Sequence, residues 1–211
     1  MAPGAKIAFF DVGSVLADYL DINDLPGIFE TAYVAGARVH SNSWGSDDYG
    51  AYAQLSYEAD AYMYYNDDML IVVAAGNEGS TGFNTLGSPA TGKNVLTVGA
   101  SMPRLEQFDT VNPELTVAYF SALGPTDDGR IGIDLIAPGH YVMSALAGNL
   151  TALENSVRTG HGKVQFGVTK MSGTSMATPV VAGAALLVRQ YLMDPNFWAA
   201  ACLSGTYHRI L

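Results

Sequence analysis

The run Met69-Leu-Ile-Val-Val-Ala-Ala75 is apolar throughout and is ended at once by Gly76-Asn77. A short β-branched run bounded by glycine reads as a strand buried on both faces, the setting found in parallel sheets. Parallel strands cannot be joined by a tight hairpin, so helices must cross between them. The flanking sequence supplies those helices. Residues 26–35 carry a helical pattern closed by Gly36, and residues 37–43 read as the next strand. Tyr52, Leu55, Ala59, Tyr62 and Met63 then recur at helical spacing, giving a face that can cover a sheet. Residues 6–11 read as an earlier strand, linked onward by a connection rich in Gly, Asp, Asn and Pro. A second apolar helix is expected from about Val180 to Met193. Alternating strands and helices predict an α/β fold with right-handed crossovers.

The composition fits one domain. Of 211 residues 49% are hydrophobic and only 14% are charged, which favours a compact core and excludes disorder. The formal net charge of −10 argues against nucleic acid or an anionic membrane as partner. No continuous apolar run reaches the roughly 18 residues expected of a spanning segment. Residues 1–6 lack the charged start and apolar core of a secretory signal. The single cysteine, Cys202, has no internal disulfide partner and is expected to be a small buried residue.

Two short segments carry chemistry. In Lys170-Met-Ser-Gly-Thr-Ser-Met-Ala-Thr-Pro179 a serine stands at a tight turn that opens the late helix. Such a hydroxyl is exposed beside helix-terminal N–H groups, the surroundings of a nucleophile. By itself Ser175 is equally well explained as an ordinary helix cap. In Ala74-Ala-Gly-Asn-Glu-Gly79 an amide stands just past the carboxyl end of the buried strand, where parallel sheets gather their ligands. Asn77 can donate to a developing oxyanion, although Gly-Asn also makes an unremarkable turn.

Together these segments resemble the signatures of the subtilisin-like serine proteases, the subtilases. Gly173-Thr-Ser-Met-Ala-Thr-Pro179 is similar to the nucleophile motif, and Ala74 to Gly79 to the oxyanion segment. Ser43-Trp44-Gly45 resembles the edge strand that holds the substrate backbone. Ser88-Pro-Ala90, Asn94 to Ala100, Phe120 to Pro125 and Asp134 to Gly139 follow in the family's order, so the likeness extends from about Met1 to Leu192. The resemblance implies a three-layer α/β sandwich with a mostly parallel central sheet. It implies Ser175 as nucleophile and Asn77 as oxyanion donor. Substrate binding would fall to Ser43, Trp44 and Gly45 on one side of the cleft, and to Ala74, Ala75, Gly76, Glu78 and Thr174 on the other. The partner implied is a peptide or protein substrate in extended conformation, bound as an added strand. A secreted or lumenal location follows from the same likeness.

The family's D-[ST]-G and H-G-T-x-x-A motifs, which carry the catalytic Asp and His, have no match in this sequence. The expectation is therefore an amino-terminally truncated, partial subtilase catalytic domain over residues 1–211, weakly active alone. Asp11-Val-Gly13 has the wrong context for the missing Asp, because it ends a strand that should follow the His helix. His40, His140, His161 and His208 all lack the family's surroundings. The alternative reading is a subtilase-like remnant that grips peptides without cutting them. A further rival, the Gly-x-Ser-x-Gly elbow of α/β-hydrolases, would need Asp194 and His208 downstream of the serine.

Three secondary expectations complete the reading. Glu78, near the mouth of the primary pocket by resemblance, could favour Lys or Arg there. Pro89 could follow a cis peptide bond. No cofactor is required, but Asp127, Asp128 and Asp134 could hold calcium as a structural ion, against the simpler reading of a solvated loop.

Overall fold

A computed structural model describes residues 2–13, 20, 22–102, 116–145 and 168–196. Helix α1 (Leu25–Val34) starts where the Asp24 side chain accepts the Gly27 N–H at 3.0 Å. It ends at Gly36, whose φ of +94° reverses the chain. Strand β1 (Val39–Asn42) follows, then α2 (Gln54–Tyr65), β2 (Leu70–Ala74), β3 (Leu96–Ser101) and β4 (Leu135–Pro138). These four strands form one sheet in the order β1-β2-β3-β4, and every pairing is parallel. Strands β5 (Val142–Ala145) and β6 (Val168–Met171) make a separate antiparallel pair. Helix α3 (Thr174–Met193) follows directly.

Period-two alternation along the strands divides the sheet into two faces. Ile71 and Val73 of β2 turn toward α1 and α2, packing with Leu25, Phe29, Ala59 and Tyr62. Val72 turns the other way, joining Val98, Ala100 and Ala137 against Ala177, Val181 and Ala182 of α3. Helices on both faces of a parallel sheet make the three-layer α/β architecture that the family likeness implies. Phe29, Leu25, Ile71, Val72, Val73 and Val98 are wholly buried, each worth about 1.5–3 kcal/mol of transfer free energy.

Two expectations are corrected. Residues 6–11 are not a strand: the segment is extended but unpaired, with Ile7 88% and Phe9 85% exposed. Alternating apolar residues encode a face for a sheet, but a strand also needs a hydrogen-bonding neighbour, and no described strand pairs with this one. The late helix also begins six residues earlier than expected, at Thr174, and runs through Pro179. Proline is tolerated there because the carbonyl it cannot bond, Ser175 O four residues back, accepts the Ser43 hydroxyl at 2.8 Å instead. By length and composition α3 is apolar enough to cross a membrane, yet its buried face is the one that lies on the sheet. Cys202 lies outside the described residues.

Candidate active site

The carboxyl ends of β1 and β2 and the start of α3 meet at one place. After Ala74 the chain leaves the sheet through Ala75, which is fully buried, and turns at Gly76 with a φ of +110°. That conformation strains any residue bearing a Cβ. Gly79 is required for a different reason, because a Cβ there would stand 1.8 Å from the Ser121 carbonyl oxygen. The turn between these glycines presents Asn77 and Glu78 to solvent. It is pinned from behind by Ala122 N–H donating to Gly76 O and by Gly79 N–H donating to Phe120 O, both at 2.9 Å.

Asn77 is held by the residue that precedes Ser175. Its Oδ1 accepts the Thr174 N–H at 2.9 Å and lies 3.1 Å from the Thr174 hydroxyl. That hydroxyl also lies 3.2 Å from Gly76 O, and accepts the Gly76 N–H at 3.3 Å. With its oxygen committed inward, the carboxamide turns its NH2 group the other way. Thr174 is wholly buried, so its end of these bonds is shielded from water, while Asn77 stays exposed. Helix α3 therefore starts against the β2 turn, and its first residues sit beside Asn77.

Ser175 is half-buried at the second position of α3. The first turn of a helix has no intrahelical carbonyls for its N–H groups. Thr174 gives its own to Asn77, and Met176 donates to Gly173 O at 3.0 Å. The Ser175 N–H has no carbonyl four residues back within the helix. The Ser175 hydroxyl donates to the main-chain carbonyl of Ser43 at 3.1 Å. Gly173 is fixed in turn by its N–H donating to Gly139 O at 2.8 Å. Nothing in the sequence singled out Gly139 as a contributor to the site, since a main-chain acceptor has no side-chain signature.

Ser43 and Gly45 are exposed, in line with β1. Trp44 between them is partly buried and packs against the α1–α2 cluster. Ser46 pairs with Ser88 through two main-chain hydrogen bonds of 2.9 and 3.2 Å, tying this segment to the loop that follows Gly87. The Ser88–Pro89 bond is cis, as the sequence suggested, and Gly124–Pro125 is cis as well. The loop after Pro89 is anchored by buried Asp60, which accepts N–H groups from Lys93 and Asn94 and the Tyr52 hydroxyl at 2.7 to 2.8 Å.

The acid–base candidates stand elsewhere. Asp11 is exposed, and its carboxylate accepts the Gly13 N–H at 2.9 Å in a local turn. His40 lies on β1 with its ring edge against Phe29 at 4.9 Å, and burial pushes its pKa down. His140 packs against Tyr141 at 4.0 Å, and burial lowers its pKa also. His161 and His208 lie outside the described residues, and so does half of the rival Asp194–His208 pair. Asp128 is engaged by Arg130 and Thr126, which hold its carboxyl down to about 2. Asp134 accepts the Thr97 N–H at 2.7 Å. Among the described residues no group of three or more His, Cys, Asp or Glu is placed to hold a metal ion.

Comparison with known proteins identifies the family. The model of the subtilase family matches residues 1–207. A protein named serine protease/ABC transporter B family protein tagB, from Dictyostelium discoideum, is 31% identical over 93% of this chain and 14% of its own length. Serine protease AprX of Bacillus subtilis is 40% identical over 60% of this chain and 27% of its own. Among solved structures, the prenylagaramide maturation protease PagA superposes with a TM-score of 0.57 at 27% identity, covering 86% of this chain and 54% of that one. The patellamide maturation protease PatA gives 0.56 at 30% identity, covering 80% and 50%. The chain thus spans about half or less of each of these relatives. Its fold and the span of the family match place it in the subtilase family of serine proteases.

Proposed function

We propose that this chain is the nucleophile-bearing part of a serine endopeptidase domain. Ser175 attacks the scissile carbonyl, and the tetrahedral oxyanion is held by the Asn77 carboxamide together with the Ser175 N–H. The observation that carries this reading is the Thr174–Asn77 contact, with Asn77 Oδ1 accepting the N–H next to Ser175 at 2.9 Å. That bond fixes the carboxamide beside the nucleophile. The substrate is an extended peptide, laid along Ser43, Trp44 and Gly45 and facing Gly76 and Glu78, with Ala74, Ala75 and Thr174, which the sequence also offered as substrate contacts, buried behind that surface. Glu78 is exposed at the turn, and its carboxylate favours a basic side chain in the primary pocket.

A serine hydroxyl needs a base, and the base needs an orienting partner. We infer that both come from polypeptide outside these 211 residues. The hydroxyl of Ser175 is bonded to a carbonyl, which cannot take its proton. Strand β1 pairs on one side only among the described residues. A secreted or lumenal setting is inferred on the family likeness alone.

Peptide hydrolysis by the 211-residue chain and by an upstream-extended protein tests the reading, with Ser175→Ala of each in parallel. The expected result is Ser175-dependent cleavage in the extended protein and very little in the chain alone. Equal, Ser175-dependent activity in both would contradict the division of the catalytic groups. Peptide binding without turnover, even after extension, would favour a non-catalytic remnant that only grips peptides.

A further inference from the structure

The turn at residues 87–92 touches both sides of the cleft. At its start the Gly87 N–H donates to Ala75 O at 3.4 Å, just before the Asn77 turn, and Ser88 shares its two main-chain bonds with Ser46, beside residues 43–45. The turn is closed by Thr91 N–H donating to Gly87 O at 3.2 Å and Gly92 N–H donating to Pro89 O at 2.9 Å. A helix-like turn of this kind leaves its last carbonyls without helical donors and its far end negative. Arg130 meets that end. Its Nη2 donates to Thr91 O at 2.7 Å, its Nη1 to Gly92 O at 3.1 Å and its Nε to the Asp128 carboxylate at 2.9 Å. Thr91 and Gly92 are buried, and the Thr126 hydroxyl steadies Asp128 at 2.5 Å. Asp60 takes the N–H groups of the next two residues, Lys93 and Asn94. A guanidinium on two carbonyls and a carboxylate on two amides thus grip four successive residues.

Two main-chain carbonyls and a carboxylate are the oxygen ligands that a hard metal ion takes. Here a guanidinium holds them, and its planar fork reaches all three at once, which a single ammonium point charge does not. We infer that Arg130 is the resident cation of this turn, a positioning residue that braces the wall behind Ser46 in place of a bound ion. Asp128, which the sequence also offered to calcium, is given over to the guanidinium. The effect on substrate rests on the peptide-cleft reading above. Arg130 acts through Thr91 and Gly92 on Ser88, through Ser88 on Ser46, and so on the segment along which the peptide lies. Its loss should therefore weaken peptide binding and spare the chemical step.

Chemical rescue tests the inference. In the 211-residue chain, Arg130→Ala should melt roughly 4–8 °C lower, the loss of charge-assisted bonds in a domain of this size. Millimolar methylguanidinium should restore most of that difference, and methylammonium at the same concentration should not. If Arg130→Ala does not fold, the same two ions are compared by the yield of soluble protein on refolding. In the upstream-extended protein, Arg130→Ala should raise KM for a fluorogenic peptide about ten-fold with kcat nearly unchanged, and methylguanidinium should bring KM back. An equal response to the two ions overturns the resident-cation inference. So does a calcium-induced rise in the native melting temperature that Asp128→Asn abolishes, because the carboxylate would then serve a metal. A lowered melting temperature with unchanged KM overturns the positioning role and leaves the cleft reading standing. Absence of Ser175-dependent cleavage by the native extended protein strikes the cleft reading, and the melting comparison still decides the cation.

Discussion

At the scale of single residues, the site depends on a few atoms whose partners are fixed. Asn77 is oriented by Thr174 rather than by its own loop, so its donor end is set before any substrate arrives. In the extended protein, Asn77→Ala should lower kcat by roughly 10²–10³-fold with KM nearly unchanged, a magnitude measured in subtilisin itself. A large rise in KM with intact kcat would place Asn77 in ground-state binding instead. His40 offers a second test. Burial pushes its imidazole down from the ordinary value, outweighing the hydrogen bond with Asn42 that raises it. The neutral form is favoured in the fold, so its contribution to stability is complete above the unfolded value of about 6.5 and is lost as pH falls from there through the lower folded value. Denaturant midpoints between pH 8 and 5 should therefore drop more for the native chain than for His40→Gln. Parallel pH profiles would show that His40 does not titrate differently on folding. Both motif residues, Ser175 and Asn77, were legible from sequence because their chemistry lies in side chains of distinctive type and spacing. The contributions of Ser43 Oγ and of the Gly139 carbonyl were not, since a hydroxyl or main-chain oxygen gains meaning only from what lies across from it.

At the scale of elements, the sequence specified what is local. The buried β2 run, the Gly36 stop and the helical spacing of α2 are all encoded within a few residues and all formed as expected. Two expectations failed where local pattern and tertiary context diverge. The apolar pattern of α3 becomes continuous only from about Val180, whereas packing of Ala177 and Val181 on the sheet starts the helix at Thr174. Residues 6–11 have strand-like alternation, but pairing is a property of two segments and one alone cannot reveal it. The loop carrying Ser88 and Pro89 depends on α2 through Asp60. This carboxylate is 7% exposed and accepts main-chain N–H groups from Lys93 and Asn94. Asp60→Ala would remove the charged acceptor that both main-chain N–H groups and the Tyr52 hydroxyl share, at a cost of about 3 kcal/mol. For a chain of this size, thermal unfolding should then begin roughly 6–12 °C lower. An unchanged melting curve would mean that the loop does not rely on α2.

At the scale of the whole molecule, two layers of helix enclose a parallel sheet whose β1 edge is open among the described residues. Far upstream of β1, the segment carrying Ile7 and Phe9 is almost fully exposed. Open edges and exposed apolar side chains promote self-association. Ile7→Ser combined with Phe9→Ser should raise the soluble monomeric fraction of the isolated chain, read by light scattering at increasing concentration. No change in the association threshold would show that this segment does not drive it. The enzymatic account as a whole turns on Ser175 becoming nucleophilic once a base is supplied. Labelling of the upstream-extended protein with a fluorophosphonate, followed by mass spectrometry of its peptides, measures that directly. The account predicts a single adduct on the peptide containing Ser175, with far slower labelling of the 211-residue chain; an adduct elsewhere, or none on the extended protein, would contradict it.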